Sequence, residues 1–524
     1  MANRYVISLV LNAHLPYVRD TLAPEEEHRF FEVLSETYLP LLAALDRMEG
    51  DYIPFRLGLV LSPILCHLLE DELLRERFLA YTDKQIEFGL RELERTRGGE
   101  LEDLAKRYYN QAVDRRIAFT ERYEGNFLKA LDYYQRKGKL ELLATAASCP
   151  FLPFLAPYPE AVQAQMEVAA ASYRKYFGKY LQGFWLPELG WTPELAGHLR
   201  AYNFGYTIVE AHGLVFGKPP AVWGTFYPVK TPEGICILGR DYNAGEEIFR
   251  ASREDGYRDN DRDAGYDFPL PEIASFLGYG GVRTPTGFKY WGASGVRGRN
   301  PVYDPQKAGE RAMEHARRFL ENQSVRLAEA ARHMDEDPVS LCAFDADEFG
   351  RLWHEGPQFI EALFRLSAGY REIQFLTPGE YLYKQDISRI QTSIPEFSSR
   401  GANGYAEMWL DSSNDWMYRH LIRSLERMRE LAERFLDDTG LKERALNQAA
   451  REILLAASSD WARMLYEGDS AEYARNQIEG ALRNFTTIYE ALGSNYISTE
   501  WLTTLEKRHN LFPHINYRVF RRKR

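Results

Sequence analysis

Two short stretches place a carboxylate in apolar company. In GFWLPELGW, residues 183–191, Glu188 stands among Trp185, Pro187 and Trp191. In VSLCAFDADEFGRLW, residues 339–353, Asp345 closes a run that reads as a buried strand. Desolvation raises a carboxyl pKa, and a neighbouring acid raises one member of a pair further. Two carboxylates with separated pKa values suit chemistry on a sugar. One attacks the anomeric carbon; the other protonates the leaving oxygen and later activates the acceptor. Each residue also has a plainer role open to it. Asp345 could cap a helix, and Asp347 fits that role as well. His14, in AHLPY, could be a satisfied histidine at a strand end, and Trp409 and Trp416 could be core.

Such carboxylates need elements that hold them. Seven short apolar runs end in polar residues: YVISLVL, LGLVLS, LELLATAAS, LQGFWLPE, GYTIVE, GICILGRD and VSLCAFD. Helical stretches such as RERFLAYTDKQIEFGLRELERT and EAVQAQMEVAAASYRKYF lie between several of them. That alternation argues for an α/β protein with a parallel sheet. In a parallel barrel the site lies at the carboxyl ends of the strands, where these polar residues fall. No glycine-rich dinucleotide turn follows the first strand. After about residue 415 the pattern becomes helical alone, with apolar faces such as Leu421, Leu425, Met428, Leu431 and Phe435.

Composition narrows the function further. The 524 residues carry a formal net charge of −11, which disfavours a nucleic-acid partner. The basic end RVFRRKR reads as a solvated tail. The four cysteines form no CxxC pair, and the eleven histidines form no HExxH, so neither metal nor cofactor is expected. Aromatic residues make up 14% of the chain, enough for a core and for a groove that stacks on flat ligands. No apolar stretch is long enough to cross a membrane, and the N-terminus lacks a signal-peptide layout, so a cytoplasmic protein is expected.

Taken in order, AHLPYVRD, GFWLPELGW, YTIVEAHGLVFG, AFDADEFGRLWHEGP, WLDSSNDWMYRH and LLAASSDW resemble segments of glycoside hydrolase family 57, and within it the glucan-branching enzymes. The likeness runs from about residue 5 to about residue 490. It implies a distorted (β/α)7 barrel over residues 1–405, with a helical insertion at about 64–136 and an active-site loop region at about 220–300. A helical C-terminal domain at 406–524 would contribute to an α-glucan groove. It implies retaining transfer from α-1,4 to α-1,6 linkages, with Glu188 as nucleophile and Asp345 as acid/base; the alternatives are a 4-α-glucanotransferase or α-amylase of the same family and, from another class, a non-catalytic glucan-binding protein. His14, Trp185, His212, Arg262, Gly281, Trp409, Trp416 and Asp460 fall on substrate-binding positions. The loop WGTFYPVKTPEG, with Phe226 and Tyr227, is expected to shield the intermediate. Four positions depart from the family pattern: Asn12, Cys149 and Arg351 replace histidines, and Glu210 replaces an aspartate. These losses predict a slow enzyme.

Overall fold

The computed structural model describes residues 5–19, 24–277, 281–294 and 300–523. Among the described residues, nine strands form one sheet. They are β1 (Tyr5–Ala13), β2 (Leu57–Leu61), β3 (Leu140–Thr145), β4 (Gly183–Trp185), β5 (Tyr206–Val209), β6 (Val229–Lys230), β7 (Cys236–Gly239), β8 (Val339–Asp345) and β9 (Ile373–Phe375). Each of the seven runs expected as strands forms one. The short β6 and β9 carry too few residues to show a period in sequence.

The order is β6-β7-β5-β4-β3-β2-β1-β8, with β9 also on β1. All pairs are parallel except β6–β7. The sheet curls until Arg240, just past β7, bridges Leu341 of β8 in parallel. That single bridge closes seven parallel strands into a distorted barrel. The long β1 is buried along nearly its whole length, as a parallel strand covered on both faces should be.

Helices at Pro63–Glu70, Glu72–Arg95, Glu102–Ile117 and Phe127–Arg136 lie between β2 and β3. Much of the 257–303 segment packs on them. Tyr290 donates to Glu92 at 2.7 Å, and Gln85 donates to the Thr286 carbonyl at 3.0 Å. The C-terminal helices, from Asp415–Arg434 to Thr499–Arg508, pack on the barrel. The last segment is docked rather than free: Tyr517 and Phe520 are buried, and Gln163 donates to the Val519 and Arg521 carbonyls. Burying two aromatic rings offsets the cost of ordering a basic end.

The WGTFYPVKTPEG loop lies at the opposite end of the barrel from the expected site. The Phe226 carbonyl accepts from Val339, the first residue of β8, and Tyr227 is buried against the sheet. It therefore cannot cover groups at the ends of β4 and β8. Among the described residues of the 220–300 region, those that line the cleft lie between Arg240 and Ser252.

Candidate active site

The cleft opens where the strands end. Glu188 follows β4 in a short 3-10 turn, and both Glu188 (φ 59°) and Leu189 (φ 49°) are left-handed. Such backbone costs a non-glycine residue about 1–3 kcal/mol and persists only when surrounding contacts over-determine it. Here an antiparallel backbone ladder does so. Trp191 and Ser398 exchange hydrogen bonds, and the Arg400 amide donates to the Glu188 carbonyl at 2.9 Å. Asp345 is the last residue of β8, in register with Asn12 of β1. Its side chain caps no helix. Instead it accepts from Asn12 Nδ2 at 2.9 Å.

Arg400 joins the two acids. Its Nε donates to Glu188 Oε2 at 2.7 Å and its Nη1 to Asp345 Oδ2 at 2.6 Å. One planar group thus holds both carboxylates across the mouth, close enough to flank a single glycosidic bond. Burial pushes the Asp345 carboxyl up, but the Arg400 charge and the Asn12 hydrogen bond outweigh it and hold the group below its ordinary value. A third acid behaves in the opposite way. Burial, with Asp347 and Asp345 nearby, pushes Glu348 up to about 7.

The C-terminal helices supply the facing wall. Ser459 Oγ donates to Glu188 Oε1 at 2.8 Å and lies equally close to the Cys149 carbonyl. His14 Nε2 meets Asp460 Oδ2 at 2.8 Å, and its Nδ1 meets Ser62 Oγ at 2.8 Å. Burial alone would lower the His14 pKa; Asp460 reverses that and raises it well above the usual value. Asp460 is held well below the carboxylate range, since His14, Arg463 and Ser458 outweigh burial.

Several expected contributors take other positions. Trp185 lines the cleft beside Glu188. Trp409 is 1% exposed and lies parallel to Phe151, with ring centroids 5.2 Å apart. Trp416 sits beneath Arg475. Neither tryptophan lines the cleft, because the junction between barrel and helices buries aromatic area there. His212 bonds the Gly404 carbonyl at 2.8 Å and packs on Tyr405, so it supports a loop instead of facing the groove. Arg262 pairs with Asp267 beside Trp291, and Gly281 is exposed with φ +80°; both belong to the lobe on the helical insertion. Of the four departures, Asn12 holds Asp345. Cys149 offers its carbonyl to Ser459, Glu210 pairs with Arg240 and Arg351 with Asp347. Among the described residues no group of three or more His, Cys, Asp or Glu side chains is set to hold a metal.

Sequence reasoning missed Arg400 and Ser459. Arg400 stands in SSRGANGY, where clustered glycine and asparagine signal a tight turn but give no hint of the arginine's partners. Ser459 directly precedes the Asp460 that had been singled out.

A parallel barrel with paired carboxylates at its strand ends defines an enzyme of the glycoside-hydrolase type. The chain belongs to glycosyl hydrolase family 57, whose model matches residues 8–393. Residues 420–520 match the C-terminal model of 1,4-alpha-glucan branching enzymes. The chain is 27% identical to the 1,4-alpha-glucan branching enzyme TK1436 of Thermococcus kodakarensis, over 97% of this chain and 77% of that protein. Its structure resembles that of the alpha-amylase AmyC from Thermotoga maritima, with a TM-score of 0.92, 33% identity and coverage of 99% and 100% of the two chains. It also resembles a GH57-type branching enzyme from Pyrococcus horikoshii, with a TM-score of 0.88, 25% identity and coverage of 99% and 97%.

Proposed function

We propose that the protein is a 1,4-α-glucan branching enzyme that works by retaining transglycosylation. Glu188 attacks the anomeric carbon of an α-1,4 linkage while Asp345 protonates the departing oxygen. Asp345 then takes the proton from the 6-hydroxyl of an acceptor glucan, which displaces Glu188 and forms an α-1,6 branch. The carboxylate pair across one guanidinium supports the chemistry. The observation that carries branching in particular is the far wall of the cleft. Ser459, Asp460 and Arg463 come from the segment that matches the branching-enzyme C-terminal model, and Ser459 bonds Glu188 directly. A wall that meets the nucleophile can hold an acceptor and exclude water, which transfer requires.

The likeness to AmyC favours a second reading, an α-amylase that hydrolyses the same linkage. Amylose separates the two. Branching lowers iodine colour with few new reducing ends and releases short chains on isoamylase treatment. Hydrolysis raises reducing ends instead. A protein that only binds glucan changes neither.

A further inference from the structure

Arg400 stands where a substrate must go. Its guanidinium lies between Glu188 Oε2 and Asp345 Oδ2, and a bond cleaved by those two groups has to lie between them. Arg400 and a productively bound sugar are therefore mutually exclusive in this arrangement. Two compartments meet at this side chain. One compartment, of about 380 Å³, runs past Asn12 and His14 to Arg463. The other, of about 510 Å³, runs past Tyr242, Phe249 and Trp353. Trp185, Asp345, Glu348, Arg400 and Glu467 line both.

The segment that carries Arg400 follows an unusual backbone path. Gly401 (φ 87°), Asn403 (φ 56°), Gly404 (φ 82°) and Ala406 (φ 74°) all lie in the left-handed region, within a few residues of one another. Glycine and asparagine adopt this region at little cost, and the backbone stays tied to Glu188 and Trp191, so the part free to move is the Arg400 side chain. Glu467 also lines both compartments and offers the displaced guanidinium a carboxylate.

The geometry points to Arg400 as a latch, closed in the free protein and displaced by an α-glucan that occupies both compartments. This inference rests on the proposed glucan substrate. The physical reason is that contacts remote from the reacting bond supply the energy to move a doubly paired cation, and a short chain makes fewer of them. Arg400 then lowers the affinity for every productively bound glucan by a common factor, and both acids stay paired until a donor binds.

The test compares Arg400→Ala with the parent protein, using maltotriose and maltoheptaose as probes. Binding is measured by calorimetry in a Glu188→Gln background, and kcat/KM in the Glu188 proteins. The parent should favour maltoheptaose strongly. Arg400→Ala should tighten the binding of both probes by about the same factor, about tenfold or more, because each is relieved of the same displacement cost. Arg400→Met, which keeps the stem without the charge, replaces Arg400→Ala if the latter does not fold. Binding of both probes that is unchanged or weakened overturns the latch. Tightened binding of both probes, with no turnover of any glucan by either Glu188 protein, supports the latch and overturns the enzymatic reading.

Discussion

Replacing His14 with alanine tests how the C-terminal helices are tied to the barrel. His14 lies just past β1, and Asp460 lies 446 residues further on, in the first turn of the helix Ser459–Glu467. The Asp460 side chain is 1% exposed and that of His14 is 11% exposed. Removing one partner of a buried ion pair costs about 3–5 kcal/mol, because the other charge is left without compensation. Asp460 keeps Ser458 at 2.7 Å and Arg463 at 3.5 Å, which puts His14→Ala at the low end, about 3 kcal/mol. The loss depends on pH. The folded His14 pKa is raised, so its charge stabilises fully below about pH 6.5, the unfolded value, and the benefit disappears as pH rises through the folded pKa. The depressed Asp460 contributes above about pH 3.9 and loses its contribution as pH falls through its folded value. Urea unfolding followed by tryptophan fluorescence at pH 6 and at pH 9.5 reads both effects. The gap between parent and variant should be widest at pH 6 and narrower at pH 9.5. A gap below about 1 kcal/mol at both pH values, the worth of an ordinary neutral hydrogen bond, would refute the charged tie.

Other substitutions address the chemistry and the core. Glu188→Gln should abolish glucan transfer while leaving the unfolding midpoint nearly unchanged, since the amide can still pair with Ser459 and Arg400; normal turnover would remove Glu188 from the nucleophile's role. Asp345→Asn should lower kcat by about 10²–10⁴-fold, the usual contribution of a positioned proton donor, as read by isoamylase-released chains. Trp409→Ala should cost about 3–5 kcal/mol of stability, because the ring is buried against Phe151; a large activity loss with no stability loss would place it at the substrate instead. Glu348 keeps its proton up to about pH 7 when folded and loses it near pH 4.3 when unfolded, so its ionisation weakens the fold as pH rises through that window. Glu348→Gln should therefore be more stable than the parent at pH 8 and close to it at pH 4, as measured by thermal unfolding.

The sequence alone determined the seven parallel strands and the residues at their ends. Burial on both faces makes such strands continuous apolar runs, and a polar residue then marks where each run leaves the core. GFWLPELGW and VSLCAFD show this directly, and so Glu188 and Asp345 were legible before any coordinates. The helical C-terminal region was legible from its 3.6-residue period. Tertiary structure decided what those acids touch. Arg400 reaches Glu188 across 212 positions and Asp345 across 55, and His14 finds Asp460 across 446. No local pattern encodes such contacts, because charges pair through space once the sheet has curled and the helices have docked. For the same reason Trp409 became core, and Phe226 and Tyr227 fell at the wrong end of the barrel. An aromatic side chain looks alike in sequence whether it stacks on a sugar or on another ring, and only packing tells the two apart.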